Sequence, residues 1–584
     1  MRFLLLSILL PCLACQTTQK LPPSRPNVLL IMVDDMGVGD LGREGNPYTH
    51  TPHLDLLALE SVNFRNFYVS SVCAPTRASL LTGRYHQRTG VRSVTNGYEM
   101  MVPDEWTLAE FLQPLGYRCG IFGKWHLGEY HPSLPMAQGF EEFIGFRTGH
   151  TANYWNAALE RNGQVYPTAG YLTDVLTEEA MRFMQESEQP FFCYLPYQSP
   201  HTPLQIDSTA WQKFRDQGLS EKVARLYAMV ENVDHNLGRL REFLASEERY
   251  ANTILIFLSD NGPVSGWRLP QEQLRYNAGL RDQKFSVYEG GIRTVSFWSW
   301  PEKWPAHEVQ AVGAHIDLVP TLGQIVGFEA KEAYAWDGRN LLPELEGKDS
   351  LSEPRPFFQN YALGTLREPA PQPGGIFRLG KWKMVNGTEL YDLRQDPGEQ
   401  TNLAESDPNR LAEMNQAYLD WYQDVHRVRN FVLTPIEVGH AAENPVALRP
   451  HHGRVIGGDL HFLGKRGLAG ERIGRHPNGV DGDWIGHWTS AEDLFQWEVE
   501  IVEPGTYAIS LLARGETNKA GKLQVQIKDQ VLSATSLLSS SNEWQPLELG
   551  TIELAVGSQS IALSCLEAQI PDLAIHSLSL HRLN

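Results

Sequence analysis

The sequence predicts an α/β protein: a doubly wound mixed sheet over residues 25–345, a small α+β subdomain over 346–432, and an all-β sandwich over 433–584. Three observations predict it. Four apolar runs, NVLLIMV (27–33), YRCGIFG (117–123), PFFCYLPY (190–197) and NTILIFLS (252–259), are nearly continuous, as in parallel strands covered on both faces. Helical patterns lie between them. Beyond about 433 the pattern changes to short, alternating segments separated by Gly, Pro, Asn and Ser, the texture of an antiparallel sandwich.

The first strand runs directly into Asp34-Asp35. Thr51-Pro52 then opens TPHLDLLALESV with an N-cap and a proline at the first helical position. The second strand leads into Lys124 and His126, the third into His201, and the fourth into Asp260-Asn261. Residues 221–246 keep helical periodicity over several turns before that fourth strand. In an open α/β sheet the carboxyl ends of the strands face the ligand crevice, so four strands deliver ionisable residues to one edge. The last helix of this domain is DLVPTLGQIVG (317–327). Residues 377–405 then read as short strands with a hairpin at Asn386-Gly387 and a turn at Asp396-Pro397-Gly398, closed by a helix over about 408–425. In the sandwich, Trp484, Trp488, Trp497 and Trp544 are candidates both for sugar binding and for the core.

Charge narrows the partners. A formal net charge of −19 over 584 residues argues against nucleic acid and anionic membranes as partners, so an anionic substrate must be held by local cations. No internal run is long and apolar enough for a transmembrane span. Residues 1–20 read as a signal peptide, with Arg2, an apolar run and small residues before Cys15. Leu13-Ala14-Cys15 also resembles a lipobox end, with Cys12 where an aliphatic residue is preferred. Export is therefore expected, to the periplasm, the medium or a lipid anchor at the envelope. Of the remaining cysteines, Cys119 and Cys193 lie in apolar runs and are expected in the core, which is no disulfide framework.

Asp34, Asp35, Asp260 and Asn261 form an all-oxygen set from two strand ends. Such a set suits a hard cation, Ca2+ before Mg2+, over zinc. Singly, each pair is an ordinary turn sequence; their shared edge makes them ligands. Cys73 stands just ahead of Pro75, read as the first helical residue of a short helix ending at Gly83. Backbone N–H groups there favour an anion and would activate a thiol. Arg77 lies one turn further on.

Cys73-Ala74-Pro75-Thr76-Arg77, followed by Leu81-Thr82-Gly83-Arg84, resembles the Cys-x-Pro-Ser-Arg signature of the formylglycine-dependent type I sulfatases. Gly123-Lys124-Trp125-His126-Leu127-Gly128, Ser259-Asp260-Asn261-Gly262, and Lys284 ahead of Tyr288-Glu289-Gly290-Gly291 resemble later motifs of the same family. The resemblance covers roughly residues 25–430. It implies an alkaline-phosphatase-like fold, a maturation enzyme that oxidises Cys73 to formylglycine, and one Ca2+ held by Asp34, Asp35, Asp260, Asn261 and the modified Cys73. Thr76 departs from the usual Ser and keeps the hydroxyl.

By the same resemblance, the hydrated aldehyde attacks sulfur through one hydroxyl, and loss of a proton from the second hydroxyl releases sulfate. Lys124, His201 and Lys284 contact the sulfate and the leaving alcohol. His201 or Lys284 is the general acid, His126 the base, and Arg77 fixes the diol and a ligand carboxylate. His150, Asn153, Tyr154, Trp155, Trp267 and Arg268 fall in loops near the strand ends and are candidates for a sugar pocket. The expectation is a sulfuric ester hydrolase acting on a sulfated carbohydrate. The alternatives are a phosphodiesterase or phosphonate monoester hydrolase on the same fold, and a non-catalytic glycan-binding protein if Cys73 is not matured.

Overall fold

A computed structural model describes residues 25–95, 97–264, 275–348, 354–361, 370–427, 429, 433–458, 460–463, 484–515, 521–536, 543–566 and 573–584. The expected signal segment, with Trp267 and Arg268, lies outside the described residues.

The four strands read from the sequence are β1 (Asn27–Val33), β3 (Arg118–Lys124), β7 (Phe191–Pro196) and β8 (Thr253–Ser259). They are consecutive neighbours, in the order β8-β1-β7-β3, and every pairing is parallel. Their apolar continuity has a simple cause. Leu29, Ile31 and Val33 of β1 pack into one core, whereas Val28, Leu30 and Met32 pack into another on the opposite face. The first core is closed by α1 (Pro52–Glu60), α3 (Leu172–Glu186) and α4 (Glu221–Ser246), and the second by α2 (Cys73–Thr82) and α5 (Leu318–Val326).

The sheet is mixed. Beyond β3 come the parallel β4 (Glu142–Phe146) and the antiparallel hairpin of β5 (Ala158–Arg161) and β6 (Gln164–Pro167). Beyond β8, β10 (Ser296–Ser299) runs antiparallel, next to β2 (Val62–Tyr68), which also pairs with the short β9 (Arg293–Thr294) and with β11 (His307–Ala314).

One local expectation is corrected. Helix α2 starts at Cys73 itself, so Pro75 is its third residue, not its first. The shift costs nothing, because the first four N–H groups of a helix have no intrahelical acceptor. It places Cys73 on the helix, one turn from Arg77. Thr76 fixes this entry: its Oγ1 accepts from the Ser70 N–H at 2.9 Å, a contact that needs only the hydroxyl.

Pro356–Asn360, Gly375–Leu379, Trp382–Val385 and Glu389–Asp392 build a four-stranded antiparallel sheet, and its Asn386-Gly387 turn has both residues at positive φ, 55° and 68°. Helix α6 (Pro408–Arg427) packs on it, in a core shared with Tyr68, Val72 and Ile316 of the main body. Two further sheets follow, largely antiparallel, with Ile436–Val438 pairing parallel to Leu494–Ile501. Trp484, Trp488 and Trp497 are buried between or beside them, so these three are core. Met100 and Tyr130, from the α/β body, are buried in that same core. Cys119, Cys193 and Cys565 are buried thiols, and no helix among the described residues is long and apolar enough to cross a membrane.

Gly123 shows how tightly β3 must end. Its φ is +137°, and a Cβ there would lie 2.1 Å from the Pro196 carbonyl oxygen. Gly123→Ala is therefore expected to destabilise the protein by about 3 kcal/mol, read as a lower midpoint in denaturant; an unchanged midpoint would show that the end of β3 can relax.

Candidate active site

The carboxyl ends of β8, β1, β7 and β3 bring together the residues that the sequence spreads over 250 positions. Asp34, Asp35, Asp260 and Asn261 are all fully buried. So are Arg77 and Lys124, and Lys284 is nearly so. The three carboxylates meet three cations. Lys124 Nζ lies 2.6 Å from Asp34 Oδ2, Arg77 Nη2 lies 2.6 Å from Asp260 Oδ2, and Lys284 Nζ pairs with Asp35 Oδ1. Arg77 Nη1 also donates to the Lys124 carbonyl at 3.2 Å, tying the helix that begins at Cys73 to the end of β3.

Burial raises the Asp34 carboxyl, yet Lys124 and His201 overcome it and hold its pKa below the ordinary value. Asp35 is likewise lowered, burial being outweighed by Lys284 and His201. Asp260 goes the other way: burial and the neighbouring Asp34 raise it, and Arg77 offsets them only partly. Burial would release the Lys284 proton, but the facing Asp35 carboxylate raises its pKa instead. His201 is lowered by burial against the pull of Asp34 and Asp35. Its Nδ1 lies 2.7 Å from the Thr202 carbonyl, which only accepts, so Nδ1 carries the proton and Nε2 faces Asp35 Oδ2 at 3.6 Å.

Three buried oxygens of this cluster, Asp34 Oδ1, Asp35 Oδ2 and Asn261 Oδ1, accept no hydrogen bond. Orphaned acceptors cost free energy unless a cation or donor meets them. One atom each of Asp34, Asp260 and Cys73 lies within 4.8 Å of the others, as do Asp34, Asp35 and His201. With the His201 nitrogen at its edge, the set around Asp34, Asp35, Asp260 and Asn261 is oxygen apart from the cysteine sulfur. It fits a hard divalent cation, for which sulfur is the one unsuitable donor and an oxygen at position 73 the suitable one.

His126 is buried at φ +62°, its Nε2 3.0 Å from the Val94 carbonyl, an arrangement that puts the proton on Nε2 and makes Nδ1 the basic nitrogen. His150 lies beside His201, ring centroids 5.7 Å apart and planes tilted by 31°. With Asn153 it lines a groove of about 380 Å³ that continues past Arg147 to Glu443 and Arg449. Tyr154 is buried, and its hydroxyl donates to the His201 carbonyl at 2.8 Å. Trp155 is exposed but faces a different hollow, shared with Tyr171 and Asp174.

Sequence reading missed three supports. Tyr361, directly after the first strand of the small sheet, is buried in one core with Tyr68 and Val72 of the segment leading into Cys73, and burial pushes its phenol pKa up. Arg275 pairs with Asp40 and donates to the Asp35 carbonyl at 2.9 Å. Glu289, read only as part of a motif, accepts from the Tyr68 hydroxyl at 2.7 Å and pairs with buried Lys383 at 3.0 Å. Nothing local in the sequence marks these contacts, since each joins distant segments.

The Sulfatase family model matches residues 26–328, just over half of the chain. The chain is 34% identical to the N-acetylgalactosamine-6-sulfatase of Sus scrofa over 65% of its own length and 76% of that protein's. It is 30% identical to the N-acetylgalactosamine-6-O-sulfatase of Bacteroides thetaiotaomicron, over 67% and 92% respectively. Among solved structures, Ps i-CgsB in complex with a neocarrahexaose superposes with a TM-score of 0.62 at 28% identity, covering 69% of this chain and 93% of that one.

Arg77 is the partner that Asp260 cannot lose. Arg77→Met is expected to cost about 3–5 kcal/mol by leaving a buried carboxylate unpaired. Adding Asp260→Asn to that variant should restore part of the loss in denaturant unfolding. A double variant no more stable than Arg77→Met would refute the pairing.

Proposed function

The chain belongs to the sulfatase family, and we propose that it removes sulfate from sulfated carbohydrates using a formylglycine made from Cys73 and one Ca2+ at Asp34, Asp35, Asp260 and Asn261. The observation that carries this reading is the placement of Cys73 at the first turn of α2, against Asp34 and Asp260 and beside three buried oxygens that lack donors. The cation supplies charge stabilisation to the sulfate oxygens, and the hydrated aldehyde supplies a nucleophilic oxygen where a thiol stands before maturation.

The remaining chemistry belongs to side chains. Arg77 fixes Asp260 and the end of β3, and so positions Lys124. Lys124 and Lys284 are positive charges held in a buried site, where they stabilise charge developing on sulfate. Lys284, its pKa raised by Asp35, keeps its proton. His201 is therefore the general acid: Thr202 holds Nδ1, and Nε2 takes the transferable proton as an anionic ester enters. His126 Nδ1 is the base that resets the site. His150 and Asn153 begin the groove that receives the neighbouring sugars, and its far wall is built from residues beyond 433. The N-terminal pattern supports export from the cytoplasm, with a formylglycine-generating enzyme acting on the CAPTR segment beforehand.

Expression with a maturation enzyme should give a peptide bearing an aldehyde at position 73, and Cys73→Ala should abolish sulfate release from sulfated glycosaminoglycan or carrageenan oligosaccharides. Undiminished release by that variant would sink the mechanism. A phosphodiester cleaved faster than the matching sulfate ester would move the assignment to phosphodiesterase or phosphonate monoester hydrolase. Ca2+ at 100 times its Kd is expected to stabilise the chelated protein by about 2.7 kcal/mol, an increment absent from Asp260→Asn.

A further inference from the structure

A second cluster of metal-ligating side chains lies where the α/β body meets the C-terminal sheets. His451 and His452 occupy a single helical turn, Pro450–His452. Glu99 comes from the loop before Met100, and Glu129 from the chain five residues past Lys124. One atom from each of the four lies within 4.8 Å of the other three. His451 Nε2 is 2.9 Å from Glu129 Oε1, and His452 Nε2 is 3.3 Å from Glu99 Oε1. The His451, His452, Glu99 and Glu129 side chains are 2%, 1%, 3% and 11% exposed.

Two hydrogen bonds do not satisfy this arrangement. Glu99 Oε2 is buried and accepts no hydrogen bond. Two carboxylates against two neutral imidazoles would leave a buried charge of about −2, which costs several kcal/mol per ion unless a cation meets it. The donors differ in kind from the catalytic set: two imidazole nitrogens and two carboxylate oxygens suit a zinc-type ion, whereas Ca2+ and Mg2+ take oxygen. The outer support is present as well. His452 Nδ1 is 2.9 Å from the Tyr130 hydroxyl, the contact by which a ligating histidine is oriented through its other nitrogen.

We propose that Glu99, Glu129, His451 and His452 form a closed, structural Zn2+ site that pins the C-terminal sandwich to the catalytic body. Each imidazole ligates through Nε2 and gives up any proton held there, and four protein ligands leave no position for substrate. Because Glu129 and Tyr130 continue the chain from Lys124 and His126, the site also anchors the loop that carries those two residues.

The test uses the full chain, stripped with a chelator and titrated with Zn2+ alone, with bound metal measured after gel filtration and affinity by competition with a chromophoric chelator. Asp260→Asn reports this site with the catalytic one disabled. The expected result is one Zn2+ retained by Asp260→Asn, bound about 100-fold more weakly or not at all after Glu99→Gln or His451→Ala. Zn2+ should also raise the unfolding temperature of Asp260→Asn and leave that of the Asp260→Asn/Glu99→Gln protein unmoved. Glu99→Gln is nearly isosteric, so it answers the question if His451→Ala fails to fold. No Zn2+ bound by Asp260→Asn, or equal binding after Glu99→Gln, would overturn the proposal and reduce the cluster to two buried ion pairs.

Discussion

Three carboxylates and three cations are buried together at the carboxyl end of the sheet, and much of the molecule serves to keep them there. Asp34, Asp35 and Asp260 would repel one another by several kcal/mol if Arg77, Lys124 and Lys284 were not equally buried and in contact. Each cation arrives on a different element: a helix start, a strand end and a loop. A buried ionic cluster is weak evidence for stability, since apolar packing would serve as well or better. Its value is preorganisation. The charges that meet sulfate are already in place and need no reorganisation during the reaction.

That requirement reaches down to single backbone positions. Gly123 lets β3 close on the Pro196 carbonyl, so that Lys124 emerges beside Asp34. Thr76 ties the start of α2 to Ser70, so that Cys73 and Arg77 sit on one rigid turn. Glu289, held by Tyr68 and Lys383, carries the same logic into the small sheet, which is why a subdomain with no catalytic group of its own shares a core with the strand that precedes Cys73.

The large sheet was legible because parallel strands covered on both faces leave an unmistakable run of apolar residues, as β1 does by feeding alternate side chains to two cores. Helix α4 matched its sequence pattern from end to end, since both its cap at Ser220 and its periodicity are local. The ionisable strand ends were legible for the same reason. What escaped was what depends on distant partners. Arg275 serves Asp40, Tyr361 shares a core with Val72, and Glu99 meets His452, across separations that no periodicity records. Trp155 and Tyr154 are adjacent in sequence yet face different surroundings. Pro75 misled because proline is tolerated throughout a first helical turn, so it marks the turn but not its first residue.

Met100 and Tyr130 belong by sequence to the α/β body and by packing to the interior of the C-terminal sheets. The change in sequence texture near residue 433 is therefore no line of cleavage. A chain cut there would leave two large side chains and two buried glutamates facing water on one fragment, and a gap in the core of the other. The two parts are expected to melt as one cooperative unit, and the sandwich cannot be exchanged between relatives as a free-standing appendage unless the loop following His126 is exchanged with it.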